Sequence, residues 1–172
     1  VRACGERGVG GGEARARRAP VDLRVKTMKS TPEKVAKAFE EHGAMATSLA
    51  PFGVRLPAPE GPGRTPNVEA DAAHGKGWFE VQDEGSQIAA ALTGVKAGDT
   101  VLDLCAGAGG KTLALAAAMD NKGQIHAYDD DKTRLRPIFE RMTRAGVSNV
   151  DVISAGDESA LAGLGNRFDC VL

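Results

Sequence analysis

Residues 103–112 read Asp-Leu-Cys-Ala-Gly-Ala-Gly-Gly-Lys-Thr, placing a carboxylate, a thiol, a lysine and three glycines in one short run. Glycine at this density lets the backbone approach a ligand that a Cβ would push away. The run follows an apolar segment, Thr100 to Leu104, and leads into an Ala- and Leu-rich one, Lys111 to Met119. That order predicts strand, loop, helix. A helix start adds unpaired N–H groups and a partial positive charge, and ligands gather where parallel strands end. Two further acids follow later apolar segments: Asp129 after Gln124 to Tyr128, and Asp157, preceded by Gly156, after Val150 to Ile153.

Three ligands could use such a loop. A nucleoside triphosphate loop needs Gly, four residues, then Gly-Lys-Ser/Thr. Gly110-Lys111-Thr112 supplies the end, but Cys105 stands where the first glycine is required, which disfavours it. A dinucleotide loop fits Gly107 and Gly109, with an acid, Asp129, twenty residues on. Its third glycine is replaced by Thr112, where helix and strand should pack closely, and the Asp103 charge would repel a pyrophosphate. That reading stays open but disfavoured. S-adenosylmethionine carries a positive sulfonium and an amino group instead of phosphates. Asp103 suits its methionine end, Asp129 its ribose hydroxyls, and Gly156-Asp157 its adenine amino group. The competing reading is that each acid caps a following helix or turn. Three acids after three successive strands favour one shared pocket.

The elements needed to hold such a pocket are legible. From Gly77 onward extended and helical patterns alternate. Trp78 to Val81 reads as extended and Gly85 to Thr93 as helix. Then come the strand and helix around the glycine loop, and the strand Gln124 to Tyr128. Leu135, Ile138, Phe139 and Met142 lie at helical spacing, with Pro137 kinking that helix or marking its start and Gly146 closing it. Val150 to Ile153 and Phe168 to Leu172 supply two more strands. This alternation predicts right-handed crossovers and a parallel α/β sheet. Upstream, Val21, Leu23 and Val25 alternate with Asp22, Arg24 and Lys26, the pattern of a half-buried strand. Ser30-Thr31-Pro32-Glu33 then opens a helix with Val35, Ala38 and Phe39 on one stripe, ending before Gly43. The Pro- and Gly-rich stretch at 57–77 reads as a linker or an ordered loop. The expected organisation is a disordered basic tail at 1–19, a small unit with its linker at 20–76, and the α/β unit at 77–172.

Composition excludes several classes. Apolar residues make up 42% and charged residues 26%, as in ordinary globular α/β proteins, and no apolar run approaches the ~20 residues of a membrane span. Cys4, Cys105 and Cys170 are too scattered for a CxxC zinc site or a disulfide framework; no metal is expected, and a reducing cytoplasm is. Residues 1–37 hold ten Lys/Arg against four Asp/Glu, or +6, whereas residues 38–172 hold twelve against nineteen, or −7. A basic arm on an acidic body points to a polyanionic partner at that end.

Val101-Leu102-Asp103-Leu104-Cys105-Ala106, followed by Gly109-Gly110-Lys111-Thr112, resembles the RsmB/Nop/Sun family of RNA 5-methylcytosine methyltransferases. Gly77 to Gln87 looks like that family's lead-in to the catalytic domain, and Pro20 to Val25 like the start of its small RNA-binding unit. The resemblance covers residues 20–172. It departs at Gly107-Ala108, where the family has Ala-Pro, and at Lys26, where the family often has Asn. It implies a Rossmann-like class I methyltransferase sheet, of which the first four strands are present, preceded by a small α+β RNA-binding remnant. It also implies that Cys105, Ala106, Gly107, Ala108, Gly109, Gly110 and Lys111 line an S-adenosylmethionine pocket, with Asp129 on the ribose and Asp157 near the adenine. The implied activity is methylation of cytosine in RNA, ribosomal RNA being favoured over transfer RNA, by an enzyme that is monomeric and not bound to membrane. In the family a cysteine thiolate adds to carbon 6 of cytosine so that carbon 5 can attack the methyl group; a second cysteine helps release the product. These residues follow the strand that here ends at Leu172. Cys170 should point into the sheet core and Cys105 lies in the cofactor loop, so no catalytic residue is assigned. The chain alone is expected to be inactive and to present an apolar sheet edge. Two rivals stay open. One is a methyltransferase acting on protein or a small molecule, which would not need residues 20–56. The other is a non-catalytic RNA-binding piece.

Overall fold

The computed structural model describes residues 18–59 and 63–172; apart from its last two positions, the basic tail expected at 1–19 lies outside the described residues. The alternating run at 21–26 forms β1 (Val21–Val25), which pairs antiparallel with β3 (Gly53–Leu56) and β4 (Phe79–Val81), while β2 (Met45–Ala46) pairs with the outer side of β3. Leu23 lies opposite both Val54 and Val81. Thr31 caps α1 (Pro32–Ala38) by accepting from the Lys34 amide at 3.3 Å, and the proline at the helix start removes an N–H that would have no partner there. Val35 and Phe39 of that helix reach the core formed by Leu23, Val25, Val54, Leu56 and Phe79, whereas Ala38 is exposed. The Phe39 and Phe79 rings meet edge to face at 5.6 Å.

Of the two readings of the 57–77 stretch, the ordered one describes its second half, which packs into this unit. A 3₁₀ turn at Val68–Ala70 and α2 (Ala72–Gly75) place Val68 and Ala73 in the core. Asp71 caps α2 through the Ala73 amide at 2.7 Å, and His74 lies against Phe79 with ring centroids 5.5 Å apart. The small antiparallel sheet therefore extends to Val81. β4, placed at the head of the α/β unit by its sequence, hydrogen-bonds to β1.

The second sheet is parallel, in the order β7-β6-β5-β8, with β5 (Thr100–Asp103), β6 (Gln124–Ala127), β7 (Val150–Val152) and β8 (Cys170–Val171). Helices α3 (Glu84–Ala91), α4 (Gly110–Ala118), α5 (Lys132–Leu135), α6 (Ile138–Ala145) and α7 (Glu158–Gly163) lie between and before the strands. This is the Rossmann-like α/β arrangement expected. Val101, Leu115, Ala116, Met119 and Ile125 form one apolar cluster, against which Cys170 packs. Ala127, Leu135 and Ile138 form another. Pro137 ends one short helix and precedes the next, because its ring cannot continue the hydrogen-bond ladder. That break rephases the stripe read from the sequence: Leu135 and Ile138 are buried but Phe139 is 57% exposed.

A further difference from the sequence concerns β1, expected to be half-buried. Asp22, Arg24 and Lys26 are 7%, 6% and 1% exposed, because this face is covered by the parallel unit. Asp22 accepts two hydrogen bonds from Arg55, at 2.6 and 2.7 Å, and one from the Glu84 amide at 2.9 Å. Arg24 Nε donates to Gln82 Oε1 at 2.7 Å, and Lys26 Nζ donates to the Ala145 carbonyl. Glu80, 1% exposed on β4, receives Arg141 at 3.0 Å and Arg144 at 2.8 Å, both from α6. The two units thus meet across a buried, charged seam.

Candidate functional site

The glycine loop is braced from behind. Asp103, at the tip of β5, is 1% exposed, and its Oδ2 accepts from Thr112 Oγ1 at 2.6 Å. Burial pushes its carboxyl up, against the opposing effects of the Thr112 hydroxyl and the Lys111 charge. Asp103 therefore ties β5 to the first turn of α4; the sequence placed it instead beside a ligand. The Ala106 amide donates to the Tyr128 carbonyl at 2.9 Å, and the Gly109 amide to the Ala106 carbonyl at 2.8 Å, closing the turn. Gly109 is the N-cap of α4 with φ +80°, and a Cβ there would lie 2.5 Å from Ile138 Cγ1. Gly107 has φ +51°, the left-handed region that favours glycine.

Asp129, at the tip of β6, is 2% exposed. Its Oδ2 accepts from the Gly107 amide at 2.8 Å and its Oδ1 from the Asp131 amide at 3.0 Å. Arg134 on α5 brings a guanidinium nitrogen to 3.8 Å. Asp157 is the N-cap of α7: its Oδ1 accepts from the Ala160 amide at 2.9 Å and Ser159 Oγ at 2.7 Å. The Ala160 amide first, then the Ser159 hydroxyl, holds its carboxyl below the usual range. The capping role foreseen as the competing reading is thus present at Asp157.

A cleft of about 620 Å³ opens at these tips, walled by Cys105, Tyr128, Asp129, Asp130, Arg134 and Glu158, with Leu161 beyond. Of the residues singled out by sequence, Cys105 and Asp129 wall it directly. Ala106 and Gly107 are buried next to them. Ala108, Gly109, Gly110 and Lys111 shape the loop instead, because the chain turns there into α4. Asp157 adjoins the wall through Glu158. Tyr128, Asp130, Arg134, Glu158 and Leu161 were missed. Their signal was positional: they lie within a turn or two of strand ends where a ligand was already expected. Three carboxylates and one guanidinium give the walls an acidic balance.

A second cavity, of about 530 Å³, lies on the seam between the small sheet and helices α3 and α4. Arg24, Phe52, Gln87, Leu92 and Ala114 are among its walls, which carry no carboxylate and do not reach the strand tips. A cationic ligand finds no counter-charge there. No helix among the described residues is long and apolar enough to cross a membrane, and no cluster of three or more metal-capable side chains is found among them.

Residues 90–172 match the family described as 16S rRNA methyltransferase RsmB/F. Ribosomal RNA small subunit methyltransferase B of Cronobacter sakazakii is 33% identical over 134 residues, covering 77% of this chain and 30% of that protein. A tRNA (cytosine(72)-C(5))-methyltransferase of Pyrococcus horikoshii is 36% identical over 109 residues, covering 63% of this chain and 28% of that protein. The chain thus spans less than a third of either relative. The crystal structure of a methyltransferase homolog protein from Pyrococcus horikoshii superposes with a TM-score of 0.79 at 28% identity, over 97% of this chain and 53% of that one. With the glycine loop, the acid at the tip of β6 and the parallel sheet accounted for together, residues 90–172, just under half of the chain, are similar to the RsmB/F methyltransferase family.

Proposed function

We propose that the cleft at the tips of β5, β6 and β7 binds S-adenosylmethionine, and that the chain serves methylation of carbon 5 of cytosine in RNA. Ribosomal RNA is the favoured substrate and transfer RNA the alternative. The observation that supports this reading is Asp129. It is pinned through one oxygen to the Gly107 amide and through the other to Asp131, which fixes it against the glycine loop. A carboxylate has about four acceptor sites, so lone pairs remain for the two ribose hydroxyls. Asp157 and Glu158, at the start of α7, suit the adenine amino group, with Leu161 against the ring. Of the run Cys105 to Lys111, Cys105 meets the cleft, Ala106 and Gly107 back it, and Ala108 to Lys111 hold the turn that places them. Bound there, S-adenosylmethionine would supply the methyl group. Pyrophosphate fits poorly, since Arg134 is the one basic residue among the described cleft walls, against Asp129, Asp130 and Glu158.

RNA as the substrate rests on the family and on the small unit. Lys34 Nζ lies 4.0 Å and Lys76 Nζ 5.3 Å from the centre of the Trp78 ring, and paired cations with an aromatic face suit a nucleic-acid strand. The two relatives above are named for ribosomal and transfer RNA, which supports the same class here.

Calorimetric titration tests the reading. S-adenosylmethionine is expected to bind and NAD not to; the reverse would end it. Asp129→Ala removes charge-assisted hydrogen bonds worth about 1.5–3 kcal/mol, so affinity should fall roughly 10- to 100-fold with the fold retained.

A further inference from the structure

We propose that Arg141 is a positioning residue for the glycine loop, linking the cofactor cleft to the small antiparallel unit through Glu80. Its guanidinium bridges two acceptors that belong to different parts of the chain. Nε donates to Glu80 Oε2 at 3.0 Å, and a terminal nitrogen donates to the Ala108 carbonyl at 2.9 Å. Glu80 stands on β4, in the small sheet; Ala108 stands at the crest of the loop. Arg141 itself comes from the second turn of α6, whose first residue, Ile138, packs against Gly109.

The loop needs such a tie. Ala108 sits between Gly107 at φ +51° and Gly109 at φ +80°, and no proline fixes φ from Gly107 to Gly110. Ordering glycine-rich backbone costs more conformational entropy than ordering any other. At Ala108 itself the Arg141 bond is the tie to a side chain held outside the loop, as Asp129 is for the Gly107 amide. Its other end is anchored firmly: Glu80 is 1% exposed and also receives Arg144 at 2.8 and 3.1 Å. A planar fork with five donors can satisfy a carboxylate on one edge and a carbonyl on another, which a single ammonium cannot do in fixed geometry. Displacing the small sheet moves Glu80, and with it the group that holds the Ala108 carbonyl. Loop order in the cofactor cleft and docking of the small unit are therefore one equilibrium.

Arg144 provides the internal control, since it pairs with the same carboxylate and, among the described residues, makes no hydrogen bond to the loop. The test compares Arg141→Lys and Arg144→Lys in the intact chain. Both keep a cation at Glu80. In ligand-free protein, hydrogen exchange of the Gly109 amide, which closes the turn onto Ala106, is expected to accelerate about tenfold in Arg141→Lys and by less than twofold in Arg144→Lys. That readout is independent of the cofactor assignment. The second readout rests on the proposed function: S-adenosylmethionine affinity should fall about tenfold in Arg141→Lys and stay within about threefold in Arg144→Lys, whichever melts lower. Equal effects of the two variants on exchange, or unchanged exchange in Arg141→Lys, would reduce Arg141 to a general ion-pair partner and overturn the inference. If exchange separates the variants while no form binds S-adenosylmethionine, the positioning role stands and the cofactor reading fails.

Discussion

Gly109 carries two demands at once, a left-handed backbone and the absence of a side chain. Its φ is +80°, and any Cβ would lie 2.5 Å from Ile138 Cγ1. Gly109→Ala combines backbone strain with overpacking, each costing about 1–3 kcal/mol. The expected result is a clear drop in melting temperature together with loss of cofactor affinity. Gly110→Ala is the comparison: an added Cβ there meets only the Gln82 amide at 3.5 Å, so it should retain both. At this scale the sequence was most informative where chemistry depends on residue type. Glycines, Asp129 and the strand-tip position of Asp157 are visible in a linear string. What each acid faces is not. Its place at a strand end suggests a ligand contact for Asp103, yet its depth and its bond to Thr112 make it a brace, and depth is a tertiary property. Arg134 and Arg141 could not be found by spacing, since an arginine on a helix is ordinarily a solvated charge.

At the scale of elements, boundaries followed local rules and burial did not. Capping at Thr31, the break at Pro137 and the left-handed Gly146 at the end of α6 each act through their own backbone. The polar face of β1 is different. Alternation shows that the two faces differ, but not that Arg24 meets Gln82, 58 positions on, or that Lys26 meets the Ala145 carbonyl, 119 positions on. Lys26 makes this burial measurable. Desolvation, reinforced by Lys29 and opposed by Glu80, lowers its pKa from 10.5 to about 8. Because the folded value lies below the unfolded one, between about pH 8 and 10.5 the unfolded chain holds a proton that the folded chain has released. Stability therefore rises with pH across that window, and Lys26 adds no slope below it. Urea unfolding of the wild type and Lys26→Met from pH 7 to 10 should show an upward trend in the former relative to the latter. Parallel curves would mean that Lys26 titrates normally and is not desolvated by the seam.

For the molecule as a whole, the seam decides whether the two sheets unfold together. Arg24, Lys26, Arg141 and Arg144 surround Glu80, the carboxylate that pairs with both α6 arginines. A buried charge deprived of its partner destabilises by about 3–5 kcal/mol, so separating the sheets exposes apolar surface and also breaks this cluster. Such coupling predicts a single cooperative transition. The chain contains one tryptophan, Trp78, which sits in the small unit at the head of β4, while the longer helices α3, α4 and α6 belong to the parallel unit. Trp78 fluorescence and far-ultraviolet circular dichroism thus report different halves, and coincident melting curves are the signature of two-state behaviour. Glu80→Ala leaves the surrounding cations uncompensated. At about 2–4 °C per kcal/mol for a domain of this size, its melting temperature should fall on the order of 10 °C, with the fluorescence transition moving below the helical one as the small sheet detaches first. Separate transitions already in the wild type would show that the seam is a weak contact, and that the small sheet does not help hold the loop around the cofactor cleft.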